Sequence, residues 1–149
     1  MTASHPAPAI AARNLDEAIA AVRERGLRVS SARRLLLEAL FAADGPRTAD
    51  ELAVQAAAGD PASVYRNLER LEAIGLVRHV HLGHGPGLYA LAGSLADGYV
   101  VCDLCGKRMA ASSEQLERVR SAVRDEFGYE SAFSHFPIVG LCPECRASS

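Results

Sequence analysis

Two Cys-x-x-Cys pairs constrain this 149-residue chain more than any other feature. Cys102 and Cys105 form the first pair, Cys142 and Cys145 form the second, and the chain has no other cysteine. Each spacing lets two thiolates reach one ion from a tight turn, and four thiolates satisfy tetrahedral zinc. Disulfides and a thiol redox switch are the alternatives. We expect structural zinc, because a segment this small needs stabilisation beyond hydrophobic burial.

The composition is that of an ordinary globular protein. Hydrophobic residues make up 49% and charged residues 23%, and no apolar run is long enough to span a membrane. The N-terminus lacks the features of a signal peptide, so we expect a cytoplasmic protein, in which thiols persist as metal ligands more readily than as disulfides. The net charge is −2, and ten arginines are balanced by ten acids up to Leu91. Charge therefore gives no evidence for nucleic-acid binding.

The first half of the chain reads as four helices followed by a hairpin. Gly26, Gly59 and Gly75 end the first, third and fourth helices. From Leu76 the hydrophobic period changes toward two, through LVRHVHL, a GHGPG turn and LYAL. This order predicts a winged helix-turn-helix over residues 1–91. The helix start signals are Asn14 with Glu17, Ser30, Thr48 with Glu51, and Asp60 with Pro61.

The second half predicts a separate small α/β domain. Residues 92–98, which contain GSLADG, are expected to form a hinge, and residues 99–149 run strand, knuckle, strand, helix, strand, knuckle. Ser112 with Gln115 opens the helix, and Gly128 ends it. The fold class is therefore α+β, an N-terminal winged helix-turn-helix followed by a small α/β domain with a four-cysteine zinc site. The first dozen residues are expected to be disordered.

The fourth helix has an apolar stripe and a polar face. Val64, Leu68 and Leu71 recur at helical spacing. The remaining surface offers a hydroxyl, a phenol and two guanidiniums, which can contact bases and phosphates in a major groove. From spacing alone, DNA contact and an ordinary solvated surface are equally good interpretations. The polar side chains are Ser63, Tyr65, Arg66 and Arg70.

The histidines suggest a second metal site. His79 and His81 lie two apart on a predicted strand, so both side chains leave the same face and could share an ion, while His135 lies on a later predicted strand. Ordinary surface histidines are the alternative interpretation. His84, in the glycine-flanked turn, is expected to lie at the wing tip, and His5 in the N-terminal tail.

With these features in place, the chain resembles the ferric uptake regulator family of metal-sensing repressors over nearly its whole length. The matching stretches are LRVSSARRLLLEAL, ASVYRNLERLEAIGLV, VCDLCGK and GLCPEC. The resemblance implies a homodimer paired through residues 99–149, winged helices that bind double-stranded operator DNA, and zinc in the four-cysteine site. It also implies that Tyr65 and Arg66 contact bases and phosphates, and that Arg28 lies near the DNA backbone or minor groove.

Within the family, RHVHLGHGPGLYAL and SHFPIVG look most like the nickel-responsive branch. That likeness implies a regulatory Ni²⁺ site formed by His79, His81 and His135, although affinity order alone admits other divalent transition metals. A second sensing site common in the family looks lost. SLADGYVV holds no histidine, the DGPRTAD loop lacks its ligand, and Ala90 and Ala110 stand where acids are often found.

The expected function is a metal-dependent repressor, similar to nickel-responsive regulators of metal uptake or oxidative-stress genes. A zinc-, iron- or manganese-responsive regulator, or a peroxide sensor that oxidises a metal-bound histidine, is the alternative within this class. A zinc-stabilised interaction module or redox switch that never binds DNA is the alternative from another class. An enzyme is not expected, because no paired carboxylates or activated nucleophile is apparent.

Overall fold

The computed structural model describes residues 7–57 and 60–148, which divide into two compact units. The first unit contains the described residues up to Val80 together with Gly87–Leu95. The second contains His81–Pro86 and the described residues from Ala96 onward. Helices and a three-stranded sheet occur in each unit, so the predicted α+β class is confirmed.

Four helices form most of the first unit, and their predicted start signals are confirmed. Each N-cap side chain accepts a hydrogen bond from a backbone N–H of the first turn. In the first helix the Glu17 carboxylate accepts from the N–H of Arg13 rather than from that of Asn14, so the capping box there is incomplete. The predicted stop at Gly59 lies outside the described residues. The helices are α1 (Leu15–Glu24), α2 (Ser31–Ala42), α3 (Ala49–Gln55) and α4 (Pro61–Ala73).

The hairpin of the first unit is shorter than predicted. Strands β2 (Val77–Val80) and β3 (Leu88–Leu91) pair antiparallel, and an unpredicted two-residue strand, β1 (Arg47–Thr48), pairs with the other edge of β3. His81 lies beyond the end of β2, so the prediction that His79 and His81 share one strand is wrong. The ladder ends at Val80 because the chain turns there into its glycine-rich loop.

The core of the first unit is aliphatic, and the stripe predicted on α4 meets buried leucines of α2 in it. The expected disorder of the first dozen residues is wrong for residues 7–12. The N–H of Ile10 donates to the carbonyl of Gly75 at 2.9 Å, and the Ile10 side chain packs against the core. A Cβ at Gly75 would lie 2.1 Å from the Pro8 carbonyl oxygen, so glycine makes this approach possible. Fully buried side chains of the core include Leu36, Leu37, Leu52, Leu68 and Leu71.

The second unit follows the predicted order of elements, with one helix added. In its sheet β4 is central, antiparallel to β5 and parallel to β6, and α5 connects the outer strands. The predicted capping box at the start of α5 and the predicted end of the helix at Gly128 are confirmed, and Gly128 takes the left-handed conformation. The short helix α6 was not predicted. The elements are β4 (Gly98–Cys102), β5 (Arg108–Ala110), α5 (Ser113–Phe127), β6 (Phe136–Gly140) and α6 (Pro143–Ala147).

The segment that enters the second unit is short. A 3-10 turn covers Ala92–Ser94, and β4 begins at Gly98, inside the segment expected to be a hinge. His135 precedes β6 instead of lying on it, because its backbone takes the left-handed conformation with φ of 55°. Among the described residues, no helix combines the length and apolar character needed to cross a membrane.

Candidate functional sites

The four thiols meet in the second unit. Their sulfur atoms all lie within 4.8 Å of one another, and Sγ of Cys105 is 3.9 Å from Sγ of Cys142. Sulfurs bound to one tetrahedral zinc at about 2.3 Å lie about 3.8 Å apart, whereas a disulfide requires about 2.05 Å. Among the described residues, this is the one group of three or more potential ligands gathered at metal-binding distance. The donor set and its spacing therefore fit structural zinc.

Backbone turns present the thiols in pairs. The N–H of Cys105 donates to Sγ of Cys102, and the N–H of Cys145 donates to Sγ of Cys142, both at 3.5 Å. Gly106 follows the first pair with φ of 76°, a conformation that favours glycine. Cys142 is the N-cap of α6, so a helical turn forms the second knuckle.

The electrostatics of the cluster favour a cation. Backbone N–H donors, that of Cys105 first, lower the pKa of Cys102 to about 6. A hydrogen bond with Cys142, followed by burial, raises the pKa of Cys145 to about 12. Crowded thiols oppose one another's ionisation, since each thiolate destabilises the next. A divalent cation offsets that repulsion, so binding it would release protons from these thiols.

The polar face of α4 is exposed, opposite its buried stripe. The Tyr65 side chain is 43% exposed, in contrast to Val64 and Leu68, which are almost fully buried. Arg28 is exposed in the loop before α2. The structure thus places the predicted DNA-contacting groups of α4 on accessible surface. Arg66 and Arg70 are exposed, and Ser63 is half-buried.

Arg33, which the sequence analysis did not single out, supports this face from behind. Its side chain is only 6% exposed, and its Nε donates to Oδ1 of Asn67 on α4 at 3.2 Å. A second guanidinium nitrogen donates to the carbonyl of Arg28. Burial, and then the charge of Arg70, lower the pKa of Arg33, and no described carboxylate pairs with it. Arg33 therefore ties the Arg28 loop to α4.

The predicted histidine ligands are divided between the units, with His79 in the first and His81 and His135 in the second. His79 is exposed on β2, and its ring stacks on Tyr89 with centroids 4.6 Å apart. His81 is exposed just after β2. His84 is exposed in the turn between β2 and β3, and His5 lies outside the described residues.

His135 is half-buried and has a defined hydrogen-bond partner. Its Nδ1 lies 2.9 Å from the carbonyl oxygen of Ala96. A carbonyl oxygen only accepts, so Nδ1 must carry the proton in this contact. The lone pair of the neutral ring is then on Nε2, which is the arrangement of a metal-ligating imidazole oriented by a backbone carbonyl.

The two positions in the first unit where the sequence resemblance led us to expect ligands of a second sensing site lie on one cleft. Ala90 on β3 and the loop residues Asp44 and Gly45 line a cavity of about 480 Å³, together with Arg13 and Ser94. Asp44 is its single carboxylate, and no histidine or cysteine lines it. One carboxylate does not supply the ligand set of a transition-metal site.

Comparison with known proteins agrees with the sequence resemblance. The sequence model of the ferric uptake regulator family matches residues 24–136. The ferric uptake regulation protein of Campylobacter jejuni is 26% identical over 131 residues, covering 84% of this chain and 83% of that protein. The peroxide-responsive repressor PerR of Staphylococcus aureus strain Mu50 is 26% identical over 137 residues, covering 89% of this chain and 91% of that protein. These relatives are regulators, not enzymes.

Solved structures agree on the fold. The ferric uptake regulator Fur of Helicobacter pylori superimposes with a TM-score of 0.68 at 18% sequence identity. The match covers 90% of this chain and 95% of that one. The predicted combination of an N-terminal winged-helix domain and a smaller C-terminal domain is confirmed by this likeness.

Proposed function

The chain belongs to the ferric uptake regulator family, and on that premise we propose that it is a homodimeric, metal-dependent transcriptional repressor of operator DNA. The observation that supports DNA binding is the exposed polar face of α4, a helix that Arg33 contacts through a hydrogen bond to Asn67. Guanidiniums on such a helix can pair with guanine edges or phosphates, and a tyrosine ring can pack on a thymine methyl. We assign DNA contacts to Arg28, Ser63, Tyr65, Arg66 and Arg70.

Zinc held by the four cysteines would have a structural role. Four protein thiolates leave no open position for a substrate, as is typical of structural zinc sites. The second unit has few fully buried side chains, among them Tyr99 and Leu116. Thiolate ligation would therefore supply much of its folding free energy.

The regulatory metal is assigned to His79, His81 and His135, with Ni²⁺ favoured over other divalent transition metals. Support comes from the likeness to the nickel-responsive branch and from the Nδ1 contact of His135, which leaves Nε2 to bind a metal. Three imidazoles with open positions for water suit nickel. The cleft at Ala90 lacks a ligand set, which supports at most one regulatory ion per subunit.

The response to metal would act through the connection between the units. His79 belongs to the first unit and His135 to the second, so sharing one ion would restrain the segment that joins them. A dimer must present its recognition helices about 34 Å apart to occupy both half-sites. Preferential metal binding to the DNA-competent arrangement would then raise operator affinity, with a coupling of about 1–3 kcal/mol. Genes of metal uptake or oxidative stress are the proposed targets.

Peroxide sensing is the second candidate, since the Staphylococcus aureus relative is a peroxide-responsive repressor. In that case hydrogen peroxide would oxidise a histidine at the regulatory metal and release DNA. Mass spectrometry of treated, metal-loaded protein would detect the added oxygen. In a nickel sensor, the same treatment would leave the histidines unmodified and the operator affinity unchanged.

Titration of DNA binding with metals tests the proposal. The zinc-containing protein, stripped of weakly bound metal, is mixed with DNA from upstream of its own gene and titrated with nickel, zinc, cobalt, iron or manganese. We expect salt-sensitive binding of a dimer that nickel strengthens most. Binding strengthened mainly by another metal would assign that metal as the effector. A protein that binds no DNA with any metal would be an interaction or redox module instead.

A further inference from the structure

Ala96 is hydrogen-bonded through both its backbone N–H and its backbone carbonyl at the point where the chain enters the second unit. Leu95 is the last residue of the first unit, and Ala96 is the next residue along the chain. The Ala96 N–H donates to the Tyr99 hydroxyl oxygen at 2.7 Å, and its carbonyl oxygen lies 2.9 Å from Nδ1 of His135. We call residues 92–95, from the 3-10 turn to the last residue of the first unit, the connector. The residue that follows it, Ala96, is contacted directly by a proposed metal ligand.

The backbone around His135 is shaped for this contact. His135 takes φ of 55°, a conformation that non-glycine residues adopt rarely and at an energetic cost. The next residue, Phe136, donates its N–H to the Asp97 carbonyl at 2.9 Å. Both contacts connect the segment before β4 to the segment before β6. His135 contacts Ala96, and the residue after it begins β6 and contacts Asp97. The His135 ring is therefore positioned directly against the end of the connector.

A metal ion on Nε2 of His135 would strengthen the contact with Ala96. Withdrawal of electron density from the imidazole makes Nδ1–H a stronger donor, and charge-assisted hydrogen bonds are shorter and stronger than neutral ones. Tyr99, on β4, is 2% exposed, so its hydroxyl is a fixed acceptor for the Ala96 N–H. Ala96 is thus oriented by Tyr99 through its N–H, and a metal on His135 would strengthen the hydrogen bond to its carbonyl.

We propose that the hydrogen bond from His135 to the Ala96 carbonyl transmits metal binding at His135 to the connector, and that Tyr99 is the positioning residue that keeps Ala96 aligned by accepting a hydrogen bond from its N–H. The inference rests on the proposed function, since it takes His135 as a ligand of the regulatory metal. Tyr99 is not itself assigned as a ligand. Its removal should therefore separate metal binding from the response to metal.

The test compares full-length, zinc-containing wild type with Tyr99→Phe, and uses Tyr129→Phe, which alters a tyrosine that is 72% exposed, as the control. Hydrogen–deuterium exchange is measured with and without nickel. We expect nickel to slow exchange of the peptide containing Ala96 by about tenfold in wild type and control, and hardly at all in Tyr99→Phe. Nickel affinity from calorimetry should stay within about threefold, while the ratio of operator affinities with and without nickel falls at least fivefold.

Two results with Tyr99→Phe would overturn the proposal. One is that nickel slows exchange at Ala96 as much as in wild type and the ratio of operator affinities with and without nickel is also that of wild type. The other is loss of nickel binding, because Tyr99 would then shape the ligand rather than the link. If wild type binds operator equally with and without nickel, the proposed function fails, yet nickel-dependent protection at Ala96 that Tyr99→Phe abolishes would still support the link.

A measurement on wild type keeps the proposal testable if Tyr99→Phe does not fold. Nitrogen-15 NMR of the zinc-containing protein without nickel reports which ring nitrogen of each histidine carries the proton. We expect His135 as the Nδ1–H tautomer, with Nε2 unprotonated. An Nε2–H tautomer would be incompatible with donation to Ala96 and would overturn the proposal.

Discussion

The imidazole of His79 lies flat on the ring of Tyr89, with the two planes 5° from parallel and the centroids 4.6 Å apart. The two residues are direct cross-strand partners of β2 and β3, so the sheet register itself brings the rings together. Tyr89 is buried and His79 is exposed, so the packed Tyr89 ring restrains the orientation of the exposed imidazole. This stacking sets the orientation of a proposed metal ligand before any metal binds.

Gly87 should be required for that orientation. A Cβ at Gly87 would lie 2.0 Å from Nε2 of His79, so Gly87→Ala must push the ring off Tyr89. We expect the affinity for the regulatory metal to fall about tenfold, as for other residues that orient ligands, with zinc content unchanged. Calorimetry with nickel measures this. Gly85→Ala is the matched control, because a Cβ at Gly85 meets nothing within 4 Å, and equal affinities of the two variants would refute the orienting role.

Arg33 should matter both for stability and for DNA binding. Arg33→Met leaves Oδ1 of the half-buried Asn67 and the Arg28 carbonyl without their donor, which should lower the free energy of unfolding by about 1–3 kcal/mol. Operator affinity should fall as well, since α4 and the Arg28 loop lose their connection. Urea unfolding and fluorescence anisotropy measure the two effects.

The neighbouring Arg34 provides the control for Arg33. It is exposed and pairs with Glu38 on the same helix at 3.4 Å, a type of contact worth about 0.3–0.5 kcal/mol. Arg34→Met should therefore change stability little. If Arg33→Met and Arg34→Met unfolded at the same urea concentration, the supporting role of Arg33 would be wrong.

Removal of zinc should unfold the second unit. Cys105→Ser removes one of four ligands, so we expect loss of bound zinc and of the circular dichroism signal from α5. Leu104→Ser, which alters an exposed residue of the same knuckle, should keep both. A Cys105→Ser protein that held its full helical signal with no zinc bound would show that the site is dispensable for folding.

Arg66 should contribute a contact to DNA without affecting metal binding. Arg66→Ala is expected to weaken operator binding about tenfold and, if the guanidinium meets a phosphate, to reduce the slope of log affinity against log salt by about one. Nickel affinity should be unchanged. Arg118→Ala removes an exposed cation from α5 and is the control. Identical operator affinities for the two variants would exclude Arg66 from the interface.

Features that depend on neighbouring residues were predictable from the sequence. Helix starts at Ser30, Thr48 and Asp60 were correct because capping is decided within one turn. The thiol cluster was predictable because ligand spacing reflects the chemistry of the ion. The sequence does indicate that Arg33 is buried, because Arg33 shares helical spacing with Leu36, Leu37 and Leu40 and so falls on the buried stripe of α2.

Features set by pairing between distant segments were not predictable. The contact of His135 with Ala96 joins residues 39 positions apart, and it depends on the parallel register of β4 and β6. Strand β1 was missed because two residues carry no periodicity, and α6 because five residues give too little of it. The end of β2 at Val80 depended on the ladder with β3, which placed His81 outside the strand.

Operator binding by His79→Ala and His135→Ala, each measured with and without nickel, tests the central claim most directly. Zinc content and circular dichroism should match the wild type, since neither residue belongs to the thiol cluster. We predict that nickel strengthens operator binding by the wild type and has no effect on either variant. Nickel-strengthened binding by both variants, equal to that of the wild type, would contradict the assignment of the regulatory site.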